Sequence, residues 1–173
     1  RIIVCVLLLA VAGCSGNVGD SLDRAESSMV DNPALSLQIL DSVKNVSKSG
    51  EDAARFALLY SQALDKNWID VTDDSLITVA LDYFEPTNDY YNKFLAYYYC
   101  GRVYQNAGDY AKAIIAFTKS EDLTDKIEDD YCIGLLYANL GRLYQKVYDF
   151  QKSSEAFENA YNYYTAAQKH NHS

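Results

Sequence analysis

Hydrophobic residues recur every three or four positions along most of the chain, which is the spacing of amphipathic helices. The clearest example is residues 94–120, where two such helical runs are joined by a tight turn. The pattern returns at residues 136–160, with Gly101 aligned to Gly141 at an offset of 40 residues. A helix pair that recurs at this period predicts an all-α chain, specifically an α-solenoid of stacked antiparallel helix pairs.

The same periodicity, with Asn, Asp, Pro and Gly at the boundaries, predicts about four helix pairs after an N-terminal signal helix. The predicted helices cover residues 21–29, 33–46, 51–66, 75–84, 89–106, 110–126, 129–146 and 150–168. The first two pairs match the repeat by period alone. The helix at 75–84 is expected to bury a face made of Leu76, Val79, Ala80 and either Tyr83 or Phe84.

The chain begins with an uninterrupted apolar run of eleven residues, 2–12. As a helix this run is about 16 Å long, half of what a membrane span needs, so it predicts a signal segment. The run leads into Val-Ala-Gly before Cys14, which resembles the bacterial lipobox, whose cysteine receives a lipid thioether. This predicts a signal peptide at 1–13, lipidation of Cys14 and a tether at 14–20. An ordinary secretory peptide that contains a cysteine is the alternative.

The remaining residues divide into a helical repeat domain at 21–168 and a frayed tail at 169–173. Tyrosine is unusually common, with 16 copies against 6 phenylalanines, which suits a thin structure whose side chains lie near solvent. The net charge is −9, and such a surface repels phosphate backbones. Nucleic acid is therefore not an expected partner.

The sequence contains little that resembles catalytic chemistry. Both histidines lie in the tail, no serine or cysteine has a plausible base, and no glycine-rich phosphate loop is present, so no enzyme activity and no cofactor are expected. Asp70, Asp73 and Asp74 lack the glycine and distal glutamate of a calcium loop, so helix capping is expected and no metal. Cys100 and Cys132 are predicted to be reduced core residues, because their helix positions are out of register for a disulfide.

At seven equivalent positions, both clear repeats have residues of similar character, either bulky side chains or small ones. In the first repeat they are Tyr97, Cys100, Gly101, Tyr104, Ala113, Phe117 and Ser120, and in the second Tyr137, Leu140, Gly141, Tyr144, Ser153, Phe157 and Ala160. This set resembles the tetratricopeptide repeat (TPR), although its closing proline is replaced by Asp125 and Thr165 and the period is longer than 34 residues. With the lipobox, the architecture resembles TPR lipoproteins of Bacteroidetes.

The resemblance implies a concave groove lined by the first helix of each pair. The groove residues it implies are Tyr98, Arg102, Gln105 and Asn106 in one repeat, and Asn139, Arg142, Gln145 and Lys146 in the next. Gln62 and Lys66 are candidates to continue the groove upstream. Because Tyr97 is expected in the core, Tyr98, one helical step away, is expected to lie outside it.

In this hypothesis Arg102 and Arg142 form a cationic pair for a carboxylate, and the neighbouring amides hold the backbone of the ligand. The alternative is that both arginines pair with nearby acidic residues on a solvated face.

The predicted function is therefore a non-enzymatic, membrane-anchored TPR scaffold that binds a peptide or protein partner in its concave groove. It is expected in the bacterial cell envelope, anchored to the outer membrane and facing the periplasm. A glycan-binding SusD-like lipoprotein fragment is one alternative, and a sensor or assembly-factor portion of a longer TPR protein is another. Tyr161, Tyr163 and Tyr164 favour the latter, because they are expected to leave an uncapped apolar surface.

Overall fold

Residues 17–170 of the chain are described by a computed structural model, and within them the secondary structure is helical throughout, with no β-strand. The α-helices are α1 (Val18–Ser28), α2 (Pro33–Val43), α3 (Gly50–Lys66), α4 (Ser75–Phe84), α5 (Tyr90–Asn106), α6 (Tyr110–Glu121), α7 (Asp130–Lys146) and α8 (Phe150–His170). The predicted signal peptide at 1–13, Cys14 and the last three residues of the tail lie outside the described residues.

Side-chain caps start most of these helices where the sequence predicts. At five N-termini an Asn or Asp oxygen accepts a hydrogen bond from the backbone N–H three residues later, which satisfies a donor that the helix leaves unpaired. These capping residues are Asn32, Asp89, Asp109, Asp129 and Asp149. Before α4, Asp73 accepts hydrogen bonds from the backbone and the hydroxyl of Ser75.

Each helix packs against the next one along the chain, and α3 also contacts both α1 and α5. The buried side chains form two clusters, and α3 belongs to both. Phe56, Leu59 and Ala63 face the N-terminal cluster with α1 and α2. Ala54 and Leu58 face the larger cluster that extends through α8. The prediction of an all-α protein with packed adjacent helix pairs is confirmed.

The helices α3, α5 and α7 are close structural equivalents. Each has 17 residues, and each begins and ends 40 positions after its predecessor. Two residues beyond each helix, Trp68, Gly108 and Tyr148 adopt left-handed φ angles of 60°, 77° and 63°. The same two backbone hydrogen bonds close all three ends, in the Schellman arrangement. The 40-residue spacing and the helix-ending geometry therefore extend to α3, which the sequence related to the later repeats by its period alone.

Four boundary predictions are wrong in detail. Helix α2 ends at Val43, three residues before its predicted end at 46. Helix α1 begins at Val18, inside the predicted tether, because Asn17 accepts a hydrogen bond from the Gly19 backbone. Helix α6 ends at Glu121, and a 3-10 turn, Thr124–Lys126, replaces its predicted last residues. Helix α8 runs through His170, into the predicted tail.

The buried face of α4 also differs from the expected one. Ile77, Ala80 and Phe84 are fully buried, whereas Val79 is 43% exposed and Leu76 is only partly buried. The apolar run of this short helix is compatible with either face. Packing against α3 and α5 selects the face that includes Ile77, which lies 40 positions before Phe117.

Both cysteines in the described part of the chain have free thiols, with Cys100 buried and Cys132 partly buried. Burial raises the pKa of Cys100 to about 11 and that of Cys132 to about 12, so both are protonated at neutral pH. The prediction that they are reduced is confirmed. In the described part of the chain, every helix is too short or too polar to cross a lipid bilayer.

Candidate binding surface on α3, α5 and α7

An open depression of about 440 Å³ lies where α3, α5 and α7 meet, and it is called the central depression below. It is lined by Asp65, Lys66, Trp68, Tyr98, Tyr99, Arg102, Tyr131, Leu135, Asn139 and Arg142. A neighbouring depression of about 530 Å³ is lined by Gln105, Tyr110, Arg142, Gln145 and Lys146. Arg142 borders both. The two depressions together bring seven of the eight predicted groove residues onto one surface.

Arg102 connects three helices. Its Nε donates to Asp65 Oδ1 of α3 at 2.8 Å, and its Nη1 donates to Gln105 Oε1 at 2.9 Å and to Asn139 Oδ1 of α7 at 3.2 Å. The ion pair is largely shielded from water, with about a fifth of each side chain exposed. The charge of Arg102 is thus balanced by a nearby acidic residue, as the alternative expects, but the pair is shielded and not on a solvated face.

Asn139 is the buried centre of this network, with only 3% of its surface exposed. Its Oδ1 accepts from both Arg102 and Arg142, and its Nδ2 donates to the Tyr98 hydroxyl at 3.0 Å and to the Leu135 carbonyl at 2.9 Å. Both N–H groups and both oxygen lone pairs are therefore used. The two arginines lie on the same side of the molecule, because they share one acceptor atom.

Tyr98 is 5% exposed, so the expectation that it lies outside the core is wrong. Tyr97 and Tyr99 are buried as well, because α5 has neighbouring helices on several sides and buries more than one stripe of its surface. Burial raises the pKa of Tyr98, whose hydroxyl hydrogen-bonds to Asn139. Only part of its surface reaches the floor of the central depression.

Arg142 differs from Arg102 in its charge balance. Its guanidinium donates from Nη1 to Asn139 Oδ1 at 3.3 Å, and the side chain is exposed. Among residues 17–170, no carboxylate lies within ion-pair distance of Arg142, Lys66 or Lys146. These cations retain free N–H donors at the surface of an acidic protein.

Asn106 does not line either depression. Its Nδ2 donates to the Val71 carbonyl at 3.3 Å, so it fastens the segment between α3 and α4 to α5. Gln105, Gln145 and Lys146 lie on the neighbouring depression, where the latter two are exposed. The predicted surface is therefore divided between groups used for structure and groups that are free.

Two aromatic residues at the central depression were not predicted. Trp68 is 91% exposed and Tyr131 is 53% exposed. The repeat contains a signal for Trp68, because Trp68 is 40 positions before Gly108 and 80 before Tyr148. It is also the chain's single tryptophan.

Within the described residues, no group of histidine, cysteine, aspartate and glutamate side chains is arranged to hold a metal ion. Comparison with protein-family models found no match for this chain, and comparison with curated proteins found none either.

Proposed function

We propose that this chain is a non-enzymatic TPR scaffold of four stacked helix pairs that binds a peptide or protein partner on the face formed by α3, α5 and α7. The observation that carries the proposal is the central depression, where Arg142 and Lys66 have no carboxylate partner among residues 17–170 and lie beside exposed aromatic rings. Free cations and exposed large aromatics in a concave surface are typical of recognition sites.

The TPR assignment is supported by contacts that recur at the 40-residue offset. A Cβ on Gly101 would lie 2.5 Å from the Phe117 ring, and one on Gly141 would lie 2.8 Å from the Phe157 ring. In both repeats a capping aspartate pairs with the lysine three residues later. That lysine also lies over the repeat tyrosine, Tyr104 or Tyr144.

The proposed location is the bacterial cell envelope, on the outer membrane facing the periplasm, with a lipid anchor at Cys14. The support for the anchor is the apolar run followed by Val-Ala-Gly-Cys, which is outside the described residues. Metabolic labelling with an alkyne-tagged fatty acid tests it. The native chain is expected to be labelled and Cys14→Ser is not, whereas equal labelling of both contradicts the anchor.

Partner binding is tested by crosslinking in cells followed by mass spectrometry, comparing the native chain with Arg142→Glu. The variant is expected to lose its partner, because the reversed charge repels an acidic or carbonyl-bearing ligand. Lys126→Glu is the matched control, since Lys126 is an exposed cation outside both depressions. Circular dichroism shows whether each variant is folded. Unchanged crosslinking of a folded Arg142→Glu variant contradicts this surface.

A glycan-binding protein is the second candidate, because exposed Trp68 and Tyr131 rings are surfaces on which sugars stack. The observation that separates the two is the class of ligand recovered. Retention of oligosaccharides from an envelope extract, with no crosslinked protein, would favour the glycan candidate over the peptide scaffold.

A further inference from the structure

Building on the proposed function, we infer that the central depression selects a peptide segment in which a large aromatic side chain is adjacent to an acidic one. The ring packs against Trp68 and Tyr131, and the carboxylate pairs with Arg142 and Lys66. Arg102 has no part in ligand binding and instead positions α3, α5 and α7 around the depression.

The aromatic half of this preference follows from two exposed rings that line the depression, one of them on a hydrogen-bonded helix end and the other packed against a second ring. The backbone of Trp68 donates to the Asp65 carbonyl at 3.1 Å within the hydrogen bonds that end α3. The ring of Tyr131 lies against that of Tyr164, with centroids 5.8 Å apart. Aromatic side chains have only two rotatable side-chain angles and so lose little entropy when a ligand covers them, which makes them effective contact surfaces.

The conformation of Trp68 points to a role for its side chain. A left-handed φ of 60° is unfavourable for residues with a Cβ, and the equivalent Gly108 adopts it freely. Tryptophan at this position therefore makes the folded protein less stable than glycine would. Its side chain does not offset this cost, because it is almost fully exposed and contributes little to the core. Tyr148 has the same backbone conformation but lies outside the central depression, which makes it a matched control.

The acidic half of the preference follows from the charges around the depression. Lys66, Arg102 and Arg142 line it together with one carboxylate, Asp65, which is bound to Arg102. Within the part of the chain that the structure describes, no carboxylate offsets the charges of Arg142 and Lys66, and the net charge of the chain is −9. An acidic ligand is attracted to these two charges, and a guanidinium can hold a carboxylate with two hydrogen bonds.

Trp68 supplies the measurement, because it is the chain's single tryptophan and lines the depression. The protein is titrated with the blocked hexapeptide Gly-Ser-Phe-Asp-Ser-Gly while tryptophan emission and its quenching by acrylamide are recorded. Binding is expected to shift the emission to the blue and to reduce quenching. Peptides with Phe-Asn, Ala-Asp or Phe-Lys at the centre are expected to bind about tenfold more weakly, as loss of a charged hydrogen bond or a ring contact predicts.

Variants then assign the two halves of the preference. Arg142→Gln is expected to reduce the difference in binding between the Phe-Asp and Phe-Asn peptides, and the double variant Arg142→Gln/Lys66→Gln is expected to abolish it, whereas Lys126→Gln keeps the full difference. By calorimetry, Trp68→Gly is expected to lose peptide binding while its melting temperature rises. Tyr148→Gly is expected to show the same rise in melting temperature with peptide binding unchanged.

The results that overturn the inference are distinct from those that overturn the proposed function. If all four peptides bind alike, or if the double variant Arg142→Gln/Lys66→Gln keeps the preference for Phe-Asp, the inference is wrong. If no peptide shifts the emission but crosslinking in cells still recovers a protein, the inference is wrong and the scaffold function stands. If only an acidic sugar such as an oligogalacturonate shifts the emission, the inference and the peptide scaffold both fail.

Discussion

Large and small side chains are exchanged between equivalent positions of the two clear repeats. In the second repeat Gly134 leaves room for Tyr164, and a Cβ on Gly134 would lie 2.7 Å from that ring. In the first repeat, 40 positions earlier, the large residue is Phe94, which is fully buried, and the smaller residue is Thr124. At this pair of equivalent positions the large residue is thus on the first helix of one repeat, as Phe94, and on the second helix of the other, as Tyr164. Tyr163 and Tyr164 are partly buried by this packing, and only Tyr161 of the three is exposed.

Gly101→Ala is expected to destabilise the protein by about 1–3 kcal/mol, because its Cβ would overlap the buried ring of Phe117. Gly19→Ala is the control, since its Cβ would be 3.8 Å from the nearest atom and alanine favours helix. Urea unfolding monitored by circular dichroism measures both. Equal stability of the two variants would contradict the prediction, because it would show that α5 and α6 can accommodate a methyl group where they cross.

At the scale of elements, each of α5, α6, α7 and α8 starts at an aspartate. Asp109 contacts a single lysine through both of its carboxylate oxygens. Its Oδ1 accepts from the backbone N–H of Lys112 at 3.1 Å, and its Oδ2 lies 3.3 Å from the ammonium of the same residue. The backbone hydrogen bond, followed by the ammonium, lowers the pKa of Asp109 below its ordinary value of 3.8. Capping thus ties the stability of α6 to the ionised carboxylate.

A depressed pKa in the folded state means that this stabilisation is present above pH 3.8 and is lost as the pH falls through the lower folded-state pKa. Asp109→Asn keeps a capping oxygen but removes the titration, so its stability is expected to change less between neutral and acidic pH than that of the native chain. Asp70→Asn, at an exposed linker residue, is the control. Melting temperatures across the acid range measure the difference, and parallel curves for native and Asp109→Asn protein would refute it.

Across the whole molecule, the network around Asn139 joins helices from three successive pairs. Arg102 links α5 to α3 through Asp65 and to α7 through Asn139, while Asn139 also holds the buried hydroxyl of Tyr98. In a structure where helices pack mainly on their neighbours in sequence, such links resist sliding of one pair along the next. The same network fixes the floor of the central depression.

Asn139→Ala is expected to lower the free energy of unfolding by about 1–3 kcal/mol, because the Tyr98 hydroxyl and the Arg102 guanidinium lose a buried partner. Asn159→Ala, at an exposed position of α8, should change it by less than about 0.5 kcal/mol. Urea denaturation of both variants gives the comparison. A change at Asn139 as small as that at Asn159 would mean that the network contributes nothing to stability.

Local sequence determined the existence of the helices, their order and most of their ends. Hydrophobic periodicity and capping residues such as Asn32 and Asp109 act within a few positions of the chain, so they can be recognised without coordinates. The equivalence of Gly101 with Gly141 was readable for the same reason. Recognition of the face shared by α5 and α7 followed from this repeat together with the resemblance to known TPRs.

The tertiary structure alone decided which of those face residues are free. Arg102 and Arg142 look alike in their repeats, but Asp65, 37 positions before Arg102, neutralises only that one. Tyr98 is buried because helices on several sides enclose α5, which a one-stripe pattern cannot predict. Local periodicity cannot predict contacts with residues that are distant in sequence. Extending the 40-residue offset to α3 and α4 would have indicated Trp68 and Ile77, but only packing shows that one is exposed and the other buried.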